Sequence, residues 1–203
     1  MEKLGKDIPC PVRIANNADC AAMGETVAGT GKDYSDVVML TLGNGVGGGI
    51  ILNGRIFEGG IIGGSELGHT VVVNNGRQCS CGRRGCLEAY ASLPALLNSI
   101  KDETGPDLEL KEIFVKAETD EKVKAVLDKY IRILGTAIVN FVNIFRPQLV
   151  LLGGNMSAYV PYLLEEIKEM MKFESFGGSN GMIPELEVAQ LGDKAGVIGA
   201  ANL

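Results

Sequence analysis

The chain has 203 residues, 46% of them apolar and 22% charged, the balance of a folded globular protein and a length that one large core can serve. A net charge of −6 leaves no basic face wide enough to neutralise a run of phosphates, which argues against a nucleic-acid platform. The opening MEKLGKDIPCPV lacks the apolar stretch of a signal peptide, and no segment approaches the roughly 20 apolar residues of a membrane span, so the expectation is a cytoplasmic protein with no membrane partner.

In chain order, residues 12–14 predict a short strand leading into a helix over about 16–26, with Ala, Met and Cys on one face and Gly29 and Gly31 beyond its end. Strand and helix meet at Asn16 and Asn17. DVVMLTL at 36–42 is β-branched and apolar, and GNGVGGG separates it from a second apolar run at 50–52 that Asn53-Gly54 closes, the pattern of an antiparallel hairpin. Residues 56–64 are rich in Gly, and 65–86 gather polar and metal-type side chains in a loop too long to be an idle connection.

Short helices are predicted over 93–103 and Leu110–Lys116. Val123, Leu127, Tyr130, Leu134, Ile138, Phe141 and Phe145 then keep helical spacing up to Pro147, which predicts a long helix buried on one side. QLVLLGG at 148–154 reads as a strand and glycine turn, 161–172 as a helix, LEVAQL at 186–191 as a last strand and 195–201 as a closing helix. A hairpin followed by strand, helix and strand units predicts an α/β fold, a mixed sheet with helices on its faces.

Five cysteines is an odd number, and three of them fall at 79, 81 and 86, which suits a metal site in a reducing compartment better than a disulfide framework. With His69, the chain's one histidine, Cys79, Cys81 and Cys86 form H-x9-C-x-C-x4-C, one imidazole and three thiolates, the ligand set of a closed tetrahedral structural zinc site. Thiolates are soft donors that favour zinc over magnesium or calcium, and Gly82 and Gly85 let the loop curl around the ion. With no open coordination position, the metal would order the 65–88 loop rather than activate water. Cys10 and Cys20 are expected to be small packed residues.

The segment ELGHTVVVNNGRQCSCGRRGCLEAYAS, preceded by TLGNGVGGGIILNGRIFEGG, resembles the ROK family of sugar kinases and sugar-responsive repressors. The similarity extends to PVRIANNADCAAMGE at 11–25, LVLLGGNMS at 149–157 and GDKAGVIGAA at 192–201. It implies an actin-like, ribonuclease-H-like fold of two lobes, with sugar and ATP in the cleft between them. Residues 1–203 would be the C-terminal lobe, and the family's N-terminal lobe, with its D-x-G-x-T phosphate loop, would lie upstream of Met1.

The resemblance also assigns roles. Glu66 and His69 of E-x-G-H, together with Glu88 and Asn16, would meet sugar hydroxyls. Carboxylates accept hydrogen bonds from vicinal hydroxyls, and a metal-bound imidazole is fixed in tautomer and direction. Gly43, Asn44, Gly45 and Gly47 resemble a loop that brings backbone N–H groups to ATP phosphates, although by itself the run reads equally as a hairpin turn. Asn44 stands where the family usually has Thr. Gly153 and Gly154 resemble the glycine turn on the adenosine side.

Asn17 falls where the family carries its catalytic base, an Asp, and an amide cannot take a proton as a carboxylate does. Asp19 is two residues further along the helix, turned about 200° away from the side that Asn17 faces. The leading expectation is therefore a lobe of a glucokinase-type enzyme that phosphorylates a hexose at the 6-hydroxyl with ATP and Mg²⁺, forms a homo-oligomer, and is inactive as this isolated lobe. The alternative is the sugar-sensing module of a ROK repressor, and a third reading is a zinc-stabilised domain with no sugar site.

Overall fold

The computed structural model describes residues 10–12, 14–60 and 64–203. Strand β1 (Val37–Leu42) lies at the centre of a five-stranded sheet, since its nearly continuous apolar sequence needs cover on both faces. β2 (Val46–Leu52) and β3 (Arg55–Ile56) extend the sheet on one side by antiparallel pairing, and β4 (Leu149–Gly153) and β5 (Glu185–Val188) extend it on the other by parallel pairing, giving the order β3-β2-β1-β4-β5.

Side-chain alternation divides the interior into two layers. Val38, Leu40, Leu42, Ile50, Val150 and Leu152 face the larger core, while Val37, Met39, Ile51, Leu149 and Leu151 face helix α1 (Asn17–Ala28). The larger core holds α2 (Glu88–Ala91), α3 (Leu93–Thr104), α4 (Leu110–Lys116), α5 (Glu121–Phe145) and α6 (Pro161–Glu174). α5 is the long helix that the spacing predicts: Val123, Leu127, Tyr130, Leu134, Ile138 and Phe141 are all buried. Asp120 caps its start by accepting from the Lys122 and Val123 amides, and Arg146, at φ +48°, ends it before Pro147. α7 (Lys194–Ala200) closes the chain against α1.

α1 lies directly against β2, which is glycine at the contact. A Cβ on Gly49 would stand 2.5 Å from Ala22 Cβ, and one on Gly47 2.9 Å from Ala18 Cβ. Gly47 and Gly49 therefore belong to the strand, and the hairpin turn shrinks to 43–45, shorter than the GNGVGGG run suggests.

Two other expectations change. Val12 and Ile14 join no strand, Ile14 is 72% exposed, and Arg13 lies outside the described residues. Cys10 is exposed rather than packed, because no described element covers this segment, whereas Cys20 is buried where α1 meets α7. The last strand stops at Val188, so 189–191 leave the sheet and run along the end of α1. Among the described residues no helix is long and apolar enough to cross a membrane.

Candidate metal centre and cleft

Between Thr70 and Leu87 the chain folds back on itself with little regular structure. Its ends are joined by Leu87 N donating to Thr70 O (2.9 Å) and by isolated bridges pairing Val71 with Cys86 and Gln78 with Arg84. Gly82 (φ +91°) and Gly85 (φ +85°) make the tight reversals, and at Gly85 any Cβ would overlap the Val73 carbonyl. The reversal brings Cys79, Cys81 and Cys86 to His69, at the end of a 3₁₀ turn over Leu67–His69.

The four donor atoms lie within 4.8 Å of one another, with Cys79 Sγ 3.6 Å from His69 Nδ1 and Cys81 Sγ 3.7 Å from Cys86 Sγ. Tetrahedral zinc, with bonds of about 2.3 Å to sulfur and about 2.0–2.1 Å to nitrogen, sets donor–donor edges of about 3.5–3.8 Å. The residues therefore fit the ion. Burial pushes the Cys86 thiol up to about 11, so a cation is what would release that proton, whereas the backbone N–H of Arg83 draws the exposed Cys81 thiol down.

His69 turns Nδ1 to the sulfurs, and its Nε2 lies 3.9 Å from Glu66 Oε2. A metal on Nδ1 would fix the tautomer with hydrogen on Nε2, presenting a donor beside a carboxylate acceptor. Both side chains line a cleft of about 810 Å³. Asn16 and Asn17 reach it from the start of α1, Gly43, Asn44, Gly45 and Gly47 form its floor, and Gly154 borders the far wall. Asn16 Oδ1 is committed to capping α1, accepting from the Ala18 amide at 2.8 Å, which leaves its NH₂ group as the donor it can offer a ligand.

Glu88, the first residue of α2, joins the metal loop to the floor. Its Oε1 accepts from Ser80 Oγ (3.0 Å) and its Oε2 from the Val46 amide (3.1 Å). A Cβ on Gly45 would come within 2.6 Å of Oε2, so glycine is what lets the turn sit against this carboxylate. Gly153, by contrast, is the last residue of β4, packed against Met39 and Ala189, and does not line the cleft. Gly154 (φ +87°) does, and a side chain there would run into the Leu42 carbonyl.

Asp19 is 5% exposed and faces Gly64 rather than the cleft. Among the described residues its Oδ1 has no hydrogen-bond partner, and burial, then the charges of Glu58 and Glu66, push its carboxyl up to about 6. Asn155, directly after the glycine pair and part of the same resemblance, lines the cleft with Gly154, whereas sequence reasoning misses Ser157 and Asp193 on its wall. Among the described lining residues there is no Lys or Arg, so an anionic ligand would be met by backbone N–H groups and by a cation that accompanies it.

The family model described as "ROK family" matches residues 1–203. A glucokinase of Streptomyces coelicolor is 33% identical over 100% of this chain and 69% of its own length. A xylose repressor of Caldicellulosiruptor bescii is also 33% identical, over 93% of this chain and 51% of its own. The crystal structure of a glucokinase from Streptomyces griseus in complex with glucose and AMPPNP superposes with a TM-score of 0.86 at 30% identity, covering 99% of this chain and 70% of that one. The chain thus spans about two thirds of the glucokinases it matches and about half of the repressor.

Proposed function

The chain belongs to the ROK family, with the actin-like fold of its sugar kinases, and on that premise we propose that it is the C-terminal lobe of a two-lobed ATP-dependent kinase acting on the 6-hydroxyl of a glucose-like hexose. The observation that carries this reading is the convergence on one cleft of Glu66, His69 and Glu88, all held by the metal loop, with the glycine turn at 43–45. Glu66 accepts from a sugar hydroxyl, His69 Nε2 and the Asn16 amide donate to others, and Glu88 exchanges part of its hold on Ser80 and Val46 for the sugar. ATP lies along the glycine floor toward Gly154, its phosphates neutralised by the Mg²⁺ it brings. Zinc on His69, Cys79, Cys81 and Cys86 supplies order and direction to the sugar side, with no open position for chemistry.

Asn17 occupies the edge of the cleft where the proton of the attacking hydroxyl must go, and its carboxamide cannot accept it. Turnover in the complete protein is therefore expected to be slow, and the 203-residue chain by itself, lacking half the clamp, is expected to consume no ATP with hexose. Asn17 and the likeness to a xylose repressor favour a second reading, in which the site senses a sugar without phosphorylating it.

The test is hexose-dependent ADP formation by the complete protein and its Asn17→Asp variant, with hexose binding measured beside it. The kinase reading predicts a gain of about 10²- to 10⁴-fold on restoring the carboxylate. Binding without any gain supports the sensor, and no hexose binding by either protein refutes both.

A further inference from the structure

Glu25, in the last turn of α1, is fully buried. Its Oε2 accepts from the Thr30 amide (3.0 Å) and its Oε1 from the Leu191 amide (2.7 Å). No Lys, Arg or His pairs with it among the described residues. A carboxylate taken out of water with only neutral donors costs stability, so its presence calls for a reason beyond packing. The chemistry supplies one. Both oxygens face backbone N–H groups, which needs two acceptors, whereas a glutamine offers one acceptor and would aim an NH₂ at the second N–H.

The two amides belong to different segments. Thr30 follows α1, and its Oγ1 donates to the Val188 carbonyl at the end of β5 (3.0 Å). Leu191 belongs to the stretch between β5 and α7, and its neighbours Ala189, Gly192 and Asp193 form one wall of the cleft beside Asn155 and Ser157. The same wall is held to α1 further along, where Gly24 meets the Ala195 carbonyl and Gly199 meets the Cys20 carbonyl too closely for any side chain. α1 carries Asn16 and Asn17 at its other end, so one helix fixes both the sugar-facing amides and this wall.

We infer that Glu25 is a positioning residue for the nucleotide: by tying Leu191 and Thr30 to α1 it sets the distance of the 189–193 wall from the glycine turn and Gly154, and so the affinity for the adenosine part of ATP, without touching it. This rests on the reading that ATP occupies that side of the cleft. Losing one hydrogen bond of a charged acceptor and leaving one buried N–H without a partner loosens the wall rather than the body of the domain.

The test compares wild type, Glu25→Gln and Thr30→Val in the complete protein. The readouts are titration with Mg²⁺ and AMPPNP, titration with glucose, zinc content, and hydrogen exchange of the Leu191 amide. Glu25→Gln is expected to speed exchange at Leu191 and weaken AMPPNP about tenfold, while glucose affinity and zinc stay within about twofold. Thr30→Val leaves the carboxylate in place, so it carries the test if Glu25→Gln does not fold, and it should weaken AMPPNP by a few-fold in the same selective way. AMPPNP affinity that neither variant changes, or glucose and AMPPNP falling together, overturns the inference alone. Failure of the wild type to bind AMPPNP overturns the nucleotide reading and the inference with it.

Discussion

The 65–88 loop and the body around α5 are held together by different physics. Along α5 one apolar face meets the sheet and α6, and its cohesion is spread over many buried side chains such as Leu134, Ile138 and Phe141. The metal loop has few such residues. It is tied by scattered backbone hydrogen bonds, such as Leu87 N to Thr70 O, Val72 N to Gly85 O and Cys79 N to Arg83 O, and by four donor atoms within 4.8 Å of each other. Burial can lose one contributor and survive, whereas a tetrahedral site that loses one donor loses the ion. The side of the cleft that carries Glu66, His69 and Glu88 is built on the second kind of structure and the glycine floor on the first.

Three substitutions test how separate the two regions are. The largest effect belongs to Cys86→Ser. Structural zinc contributes apparent binding energies of about 10–16 kcal/mol, so removing a thiolate should abolish stoichiometric zinc and make 65–88 protease-sensitive while far-UV circular dichroism keeps the signal of α5 and α6. Simultaneous loss of the whole fold would show that the regions are not independent. Phe141→Ala comes next. It should cost about 3–5 kcal/mol of global stability in denaturant unfolding and leave zinc at one ion per chain. Loss of the metal in the folded variant would break the comparison from the other side.

The smallest effect lies at the joint, at Asp19, where α1 meets the approach to the metal loop at Gly64. The folded carboxyl titrates at about 6 against about 3.9 in the unfolded chain, so between these values the unfolded state releases its proton first. The contribution of Asp19 to stability therefore falls as pH rises from about 4 to about 6 and is level beyond. Asp19→Asn should remove that fall and stabilise the protein at neutral pH by on the order of 1–3 kcal/mol, read as melting temperature against pH. Parallel curves for the two proteins would mean that Asp19 is not strained by burial.

What the sequence makes legible follows the same division. The spacing of one histidine and three cysteines predicts the donor cluster because ligand identity and reach depend on few residues, and the α5 pattern predicts its buried face because the period runs unbroken for six turns. The glycine run is less readable. Gly47 and Gly49 look like loop residues, yet they are strand residues chosen for the helix that lies across them, a contact with a distant segment that local pattern does not encode. The same holds for the cleft wall. Glu88 is marked by the family resemblance, two residues after the last cysteine of the motif, but its partners Ser80 and Val46, and the clasp of Glu25 on Leu191, arise from chain segments brought together only by the fold.

The most direct measurement is a glucose titration of the complete protein after chelation and again after zinc is restored. If the metal holds Glu66, His69 and Glu88 against the cleft, binding heat disappears with the ion and returns with it, while the melting of the α5 body changes little. Equal glucose affinity with and without zinc would contradict the account.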